Sequence, residues 1–246
     1  SIEFFNRFYR PENTTVLVVG DVKADEVYKM AKKYFGAWKK GNFKSDIPAE
    51  PEQKETRYAH VQMEGFPPYL ELNYKSPAFV DTSREVAALD IISKLLFAER
   101  SDLYKKLVID EQKVRFLSGG FFFTHDPYLY TISSSVVKEE DMQYVKDEID
   151  KALENIKTQP VDKLLLEQTK SNLKYSAAMD MDSPSSIAGS LTYYIWITGN
   201  PESLNRIYAT YDKVTSDDII RAAKKYFVPQ HLTISTISSQ KEGGIK

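Results

Sequence analysis

Cysteine is missing from the 246 residues, and histidine occurs only three times. Without cysteine, disulfides, thiol catalysis and cysteine-ligated metals are excluded. A charge excess is missing too, since 33 basic residues face 35 acidic ones for a net charge of -2. A chain with this balance has no basic excess to attract nucleic acid or an anionic membrane surface, so neither is expected as a partner.

Long hydrophobic runs are also absent. The longest ones, such as Val16 to Val19 and Phe121 to Phe123, fall far short of the roughly 20 apolar residues that a membrane-spanning helix needs. With 42% apolar residues the chain has enough for a core, so we expect a soluble globular protein. Its compartment stays unknown. We interpret Ser1 as an artificial start, and the missing cysteine favours a bacterial periplasmic location over the cytoplasm.

The three histidines do not form a zinc motif. His60, His125 and His231 stand far apart, and none lies in H-x-x-E-H or H-E-x-x-H. Glu64 follows His60 at helical spacing, but the glycine and two prolines of residues 65–68 exclude a helix there. We therefore expect no metal ligand, no resident cofactor and no catalytic residue within this chain.

The first part of the chain predicts a strand and then a helix. Residues Val16 to Val19 form an apolar β-branched run, and apolar residues then recur at helical spacing from Val27 to Tyr34, up to Gly36. Residues 39–58 are rich in Lys, Glu, Pro and Gln without apolar periodicity, which is typical of a linker. We expect residues 1–38 to be the tail of a preceding domain and residues 59–246 to form a second one.

The second part predicts a mixture of strands and helices. We expect strands at Tyr69 to Tyr74, Val114 to Thr124, Tyr128 to Val136 and Leu232 to Ile237, the middle two joined as a hairpin across His125-Asp126-Pro127. Gly119-Gly120 predicts a bend or bulge in that hairpin. Helices are expected from a capping box at Thr82 and Glu85, at Asp102 to Val108, from Met142 to Ile156, from Pro160 to about Met179, after Ser183, and after a capping box at Thr215 and Asp218. The order favours an α+β two-layer sandwich, with a largely antiparallel sheet packed on helices.

Two further patterns leave alternatives open. Phe8 to Pro11 and Tyr226 to Pro229 both carry aromatic residues and a proline just before a predicted strand. This echo indicates either two related domains or a coincidence between two common helix exits.

The cluster Tyr193-Tyr194-Ile195-Trp196 suits either core packing, which we favour, or a peptide-binding wall in which Tyr193 and Trp196 contact substrate.

The segment from Phe8 to Val22, followed by a helix that ends at Trp38, resembles the close of the first domain of insulinase/pitrilysin-type zinc peptidases. Residues Leu103 to Val108, leading through Glu111 into the strand at Val114, resemble a segment of that family's second domain. The closing Ala222 to Pro229 also fits, so the resemblance covers essentially the whole chain.

The resemblance implies two homologous α/β domains in each half of a clamshell that encloses a peptide. Zinc would be held by H-x-x-E-H in the first domain of one half, before Ser1, with a glutamate as base. In the partner half, an arginine and a tyrosine seven residues later bind substrate and stabilise the oxyanion. Those two positions fall on Val108 and Arg115 here, so neither residue type is retained. Arg115 is then either a substrate contact or a solvent-facing or ion-paired strand residue.

Two hypotheses follow. In the first, this chain is a non-zinc-binding domain of a zinc endopeptidase, helps to form the peptide chamber, and is inactive alone. The missing arginine at Val108 favours the zinc-bearing half. In the second, it is a non-catalytic structural or peptide-binding subunit of the same fold. An intact H-x-x-E-H upstream of Ser1 would support the first hypothesis.

Overall fold

The computed structural model describes residues 1–42, 47–243 and 245. The chain divides into two compact units, residues 1–52 with 177–193 and residues 53–176 with 194–246. Of the predicted linker, residues 43–46 lie outside the described part, as do residues 244 and 246 of the predicted second domain. The domain boundaries stay predictions.

The elements follow one another in an order that does not alternate strand and helix. The helices are α1 Ile2–Phe8, α2 Ala24–Phe35, α3 Arg84–Phe97, α4 Asp102–Tyr104, α5 Met142–Thr158, α6 Lys163–Met179, α7 Pro184–Thr198, α8 Ser203–Lys213 and α9 Ser216–Tyr226. The strands are β1 Arg57–Gln62, β2 Tyr69–Ser76, β3 Val114–Phe121, β4 Tyr128–Val136 and β5 Leu232–Ser238. A π-helical turn at Lys105–Asp110 continues α4.

The five strands form one sheet in the order β1-β5-β2-β4-β3. Three of the four pairings are antiparallel, and only β1 with β5 is parallel. The expected hairpin is present as β3 and β4. The predicted fold class, an α+β sandwich with a largely antiparallel sheet, is therefore confirmed.

One face of the sheet packs on α3 and α9 and forms the core. Leu70, Leu72 and Tyr74 alternate along β2 as buried side chains, as the two-residue period of a strand requires. The ring of Phe227, the residue that ends α9, packs edge-on against Tyr74 and Tyr130 at centroid distances of 5.1 and 4.9 Å. These contacts fix which face of each strand is turned toward the helices.

Helix starts agree with the sequence in two cases and differ in a third. Thr215 and Asp218 form the expected capping box, and the Oγ of Ser183 accepts the amide of Ser186 at 3.1 Å. The predicted box at Thr82 is wrong. Ser83 caps α3 instead, with its Oγ accepting the amide of Val86 at 3.3 Å. Its neighbour Glu85 is occupied elsewhere, by Lys225 and Tyr226 of α9.

Several elements differ from the sequence prediction. Among the described residues, Val16 to Val19 form no strand, because a strand needs a neighbouring strand for its backbone hydrogen bonds. Strand β1 is not among the predicted strands, because its mostly exposed side chains show no apolar alternation. Helix α8 was overlooked, although Leu204, Ile207 and Tyr211 are buried at helical spacing.

The first unit holds helices whose apolar side chains lie mostly at the surface. Neither α1 nor α2 contains a buried residue, and Tyr28, Tyr34 and Phe35 of α2 are 69%, 70% and 49% exposed. Val16 and Val18, which precede α2, are 53% and 48% exposed. These residues are apolar, as core residues are, but their side chains are exposed to solvent.

The echo seen in the sequence is also an echo of backbone geometry. Both α1 and α9 end on a capping residue near φ -85°, continue through one extended residue, and enter a short 3-10 turn that begins with Pro11 or Pro229. The same backbone bonds recur, from Arg10 N to Phe8 O at 3.1 Å and from Val228 N to Tyr226 O at 3.0 Å. The second copy leads into β5, and the first leads into the apolar residues Val16 to Val19.

Candidate functional site

The segment between α3 and β3 is where the resemblance places the substrate-binding pair. Ser101 begins it: its hydroxyl donates to the carbonyl of Leu96 at 2.8 Å and accepts the amide of Tyr104 at 3.2 Å. Leu103 and Leu107 anchor the turn in the core. The segment therefore has a fixed path, and its outward residues have defined positions.

Val108 and Arg115 occupy different parts of this segment. Val108 lies in the π-helical turn and is partly buried, whereas Arg115 lies in β3 and is exposed. The pairing of β3 with β4 skips from Val114 to Phe116, so Arg115 is the extra residue of a β-bulge. A bulge turns its extra residue out of the regular alternation, which explains the exposure. In the described part of the chain, the Arg115 side chain forms no hydrogen bond or ion pair.

A polar cluster around Tyr144 fastens the turn to α5, and sequence reasoning did not find it. The Tyr144 hydroxyl donates to the Glu111 carboxylate at 2.9 Å. Lys106 and Lys113 lie 5.7 and 6.0 Å from the centre of the Tyr144 ring. Cations over an aromatic ring are attracted to its negative face. The partners are some 30 to 40 positions apart in sequence, so no local spacing signals the cluster.

Each lysine of this cluster also has a carboxylate partner. Lys106 Nζ lies 2.5 Å from Glu148, and Lys113 Nζ lies 2.8 Å from Asp141. The hydrogen bond that Lys106 donates to Glu148 raises the pKa of Lys106, and the one that Lys113 donates to Asp141 raises the pKa of Lys113. Their charges are matched locally, so the cluster is suited to holding α5 on the turn rather than to reacting with a substrate.

The aromatic cluster of α7 separates into a buried and an exposed part. Tyr194 is buried and packs against Phe79 and Phe123 at centroid distances of 5.9 and 6.3 Å. The favoured core interpretation thus holds for this residue. Tyr193 and Trp196 are 40% and 66% exposed and are three positions apart, on one side of the helix.

The histidines do not fit a zinc site. The Nδ1 of His60 lies 2.8 Å from Thr236 Oγ1, and its Nε2 lies 2.9 Å from the carbonyl of Gln240, so both ring nitrogens have partners. His125 is exposed beside Asp126, and His231 contacts the carbonyl of Tyr226. Across residues 1–42, 47–243 and 245, no group of three or more His, Asp or Glu side chains is placed to hold a metal ion.

Among the helices of the described residues, none combines the length and the apolar character that crossing a bilayer requires.

The five-stranded sheet, its helical layer and the turn before β3 define the class of this protein. The model of the family described as peptidase M16 inactive domain matches residues 2–173, and the chain belongs to that family. This agrees with the resemblance to insulinase/pitrilysin-type peptidases and makes the chain a non-catalytic domain of that kind.

Among individual proteins, the chain is similar to the zinc protease PqqE of Helicobacter pylori, with 29% identity over 238 residues, 92% of this chain and 51% of that protein. It is also similar to the crystal structure of a Helicobacter pylori protease, with a TM-score of 0.83, 27% identity, and coverage of 96% of this chain and 57% of that one. A peptidase M16 inactive domain from Pseudomonas fluorescens shares the fold at a TM-score of 0.75 and 16% identity, over 90% and 52% of the two chains. The chain thus spans about half the length of the curated relative it matches.

Proposed function

We propose that this chain is the non-zinc-binding part of a zinc metallopeptidase and forms one wall of a chamber that encloses peptide substrates. The observation that carries the proposal is the likeness over 96% of the chain to a protease structure of which the chain covers only 57%. The relative named a zinc protease supports zinc in the longer protein. Because the histidines here do not fit a metal site, the zinc would be bound outside this chain.

The partners proposed are peptide or small-protein substrates and a homologous half or subunit that closes the chamber. Three exposed side chains are the candidates for peptide contact: Arg115 on the bulge of β3, and Tyr193 and Trp196 on α7. Aromatic side chains supply contact area at low entropic cost, and a guanidinium suits a peptide carboxylate or carbonyl. Their exposure supports this role.

We further propose that residues 1–38 belong to a preceding homologous domain. The repeated sequence of a helix end, an extended residue and a proline-led 3-10 turn supports this. When Pro11 is aligned with Pro229, Val16 and Val18 correspond to Ile234 and Thr236 of strand β5. Residues 14–19 would then pair in that domain's sheet, which would cover apolar side chains that lie exposed here.

The test of the chamber role uses a longer gene product that carries an upstream H-x-x-E-H, compared with this chain alone. We expect the longer protein to bind one zinc per chain and to hydrolyse a fluorogenic peptide, and this chain to do neither. Removing residues 53–246 should abolish hydrolysis while zinc remains bound. A longer protein without the motif, or hydrolysis that survives the deletion, would contradict the proposal.

Native-state hydrogen exchange tests the domain proposal. In this chain, amides of Val16 to Val19 should exchange far faster than those of Tyr130 to Val136, which are paired within the sheet. In a longer protein with the preceding domain, the first segment should become protected. Equal and near-global protection of both segments in this chain as a monomer would show that the boundary is misplaced.

A further inference from the structure

The sheet face opposite the helices is unusually rich in hydroxyl groups, and we name it the hydroxyl face. Strand alternation gives it Ser118 of β3, Thr131, Ser133 and Ser135 of β4, and Thr233 and Ser235 of β5. Its row through the middle of the sheet pairs Ala59 with Ser235, Ser235 with Glu71, Glu71 with Ser133, and Ser133 with Ser118. A single carboxylate thus stands at the centre of a row of small side chains.

This carboxylate is held in place by the sheet itself. One oxygen of Glu71 accepts the hydroxyl of Ser133 at 3.0 Å, and the other accepts the side-chain amide of Asn73 at 3.1 Å. Asn73 is in turn fixed by Thr131, whose hydroxyl donates to its amide oxygen at 2.8 Å. Asn73 and Ser133 are buried, at 7% and 9% exposure, while Glu71 keeps part of its surface in solvent.

The Glu71 carboxylate is oriented but not neutralised. Among the described residues, Glu71 takes part in no ion pair. A carboxylate has about four lone-pair positions, and the bonds from Ser133 and Asn73 use two of them. Capacity for a planar, two-pronged donor remains on the part of the Glu71 side chain that solvent reaches.

We infer that the hydroxyl face binds a peptide segment through a basic side chain, arginine best, paired with Glu71. An arginine fork matches a carboxylate with two parallel hydrogen bonds and is less strongly hydrated than lysine. The flanking hydroxyls both donate and accept, which suits a peptide backbone crossing the row. This inference rests on the proposed role in enclosing peptides and adds a preference for positively charged substrates.

Fluorescence anisotropy on the complete 246-residue chain tests the inference. The probes are a fluorescein-labelled nonapeptide with one central arginine and the same peptide with citrulline, which keeps the shape and removes the charge. We expect the arginine peptide to bind about tenfold more tightly, since a charge-assisted bidentate pair has that order of effect. Glu71→Gln should reduce its affinity to that of the citrulline peptide. Glu99→Gln, which removes an exposed charge after α3, should leave the preference unchanged.

A second variant guards against misfolding. Ser133→Ala keeps every charge but removes one bond that orients Glu71, so the preference should fall about threefold while the melting temperature changes little. A tenfold preference that persists in Glu71→Gln overturns the inference. Equal binding of both peptides to the unmodified chain also overturns it but leaves the peptide-enclosing role standing, whereas binding of neither peptide counts against both proposals.

Discussion

Gly119 lies against the ring of Phe97 with no room for a side chain between them. A Cβ on Gly119 would stand 2.1 Å from Cδ2 of Phe97, far inside the distance at which carbon atoms repel. Gly120, the next residue of β3, has no atom within 4 Å of such a Cβ. The sequence predicted a bend or bulge at this glycine pair, but the bulge lies at Arg115, and Gly119 serves the contact between α3 and β3.

Gly119→Ala should therefore destabilise the fold by about 2 kcal/mol, within the usual range for overpacking a core. The matched control, Gly120→Ala, should change the free energy of unfolding by less than about 0.5 kcal/mol. Urea denaturation of the two variants measures the difference. Replacing the ring with a smaller side chain, as in Phe97→Leu, should partly restore the stability of Gly119→Ala. Equal stabilities of the two glycine variants would contradict the assigned contact.

Asp90 and Tyr211 tie α3 to α8, and removing the hydroxyl should be costly. The Tyr211 hydroxyl donates to the Asp90 carboxylate at 2.5 Å. Tyr211→Phe leaves this carboxylate without that donor, for a loss of about 1 to 3 kcal/mol. Tyr175→Phe removes a hydroxyl from an exposed side chain of α6, 68% exposed, and should cost less. Thermal or urea unfolding compares the stabilities of the two variants, and a more stable Tyr211→Phe than Tyr175→Phe would refute the prediction.

Asp90 also predicts a pH dependence. Burial raises its pKa, against the opposing effects of the Tyr211 bond and the charge of Lys94. A carboxyl group whose pKa is higher in the native state than in the unfolded state stabilises the fold fully below the unfolded pKa of about 3.9. This stabilisation is lost as the pH rises through the native pKa. Asp90→Asn lacks this loss, so its stability relative to the unmodified chain should increase with pH upward from about 4. Urea titrations at several pH values measure this difference, and a constant or falling one would be inconsistent with a raised pKa.

The pKa of Asp218 is shifted the other way, so it predicts a pH dependence of stability with the opposite sign. Burial opposes its ionisation, but the bonds from Thr215 and the charges of Arg84 and Arg221 outweigh it and lower its pKa. This stability is present above the unfolded pKa and is lost as the pH falls through the native one. Asp218→Asn should cost about 1 kcal/mol at neutral pH and less under acid conditions. Its exposed neighbour provides the control, since Asp217→Asn should cost only a few tenths. A cost that grows on acidification would contradict this assignment.

Arg115 predicts a small effect on catalysis. In a longer, active protein, Arg115→Ala should leave kcat within a few-fold, whereas loss of an oxyanion donor costs about 100-fold or more. The reason is that Val108 cannot donate a hydrogen bond, so the pair of donors described for the family is incomplete. The measurement is kcat on a saturating peptide, with circular dichroism as the folding control. A several-hundred-fold loss at unchanged KM would show that Arg115 stabilises the transition state.

The sequence by itself determined those features that depend on neighbours along the chain. Helical periodicity located α2, α3 and α5, and the box of Thr215 and Asp218 marked the start of α9. The turn at Asp126-Pro127 indicated the hairpin. Absent zinc motifs and the segments resembling a peptidase family were enough to predict a non-zinc-binding domain. Each of these signals is carried within a short window of residues.

Only the tertiary structure decided which distant residues meet. Strand β1 pairs with β5, with Arg57 opposite Thr233. This pairing stabilises β1, and the exposed side chains of β1 do not predict it. The same dependence explains Val16 to Val19, where strong strand propensity without a partner strand gives no strand among the described residues. The hydrogen bonds that hold Glu71 likewise require β2 and β4 to lie side by side. A strand's backbone groups are satisfied by another strand, so strand formation is a property of the whole fold rather than of the local sequence.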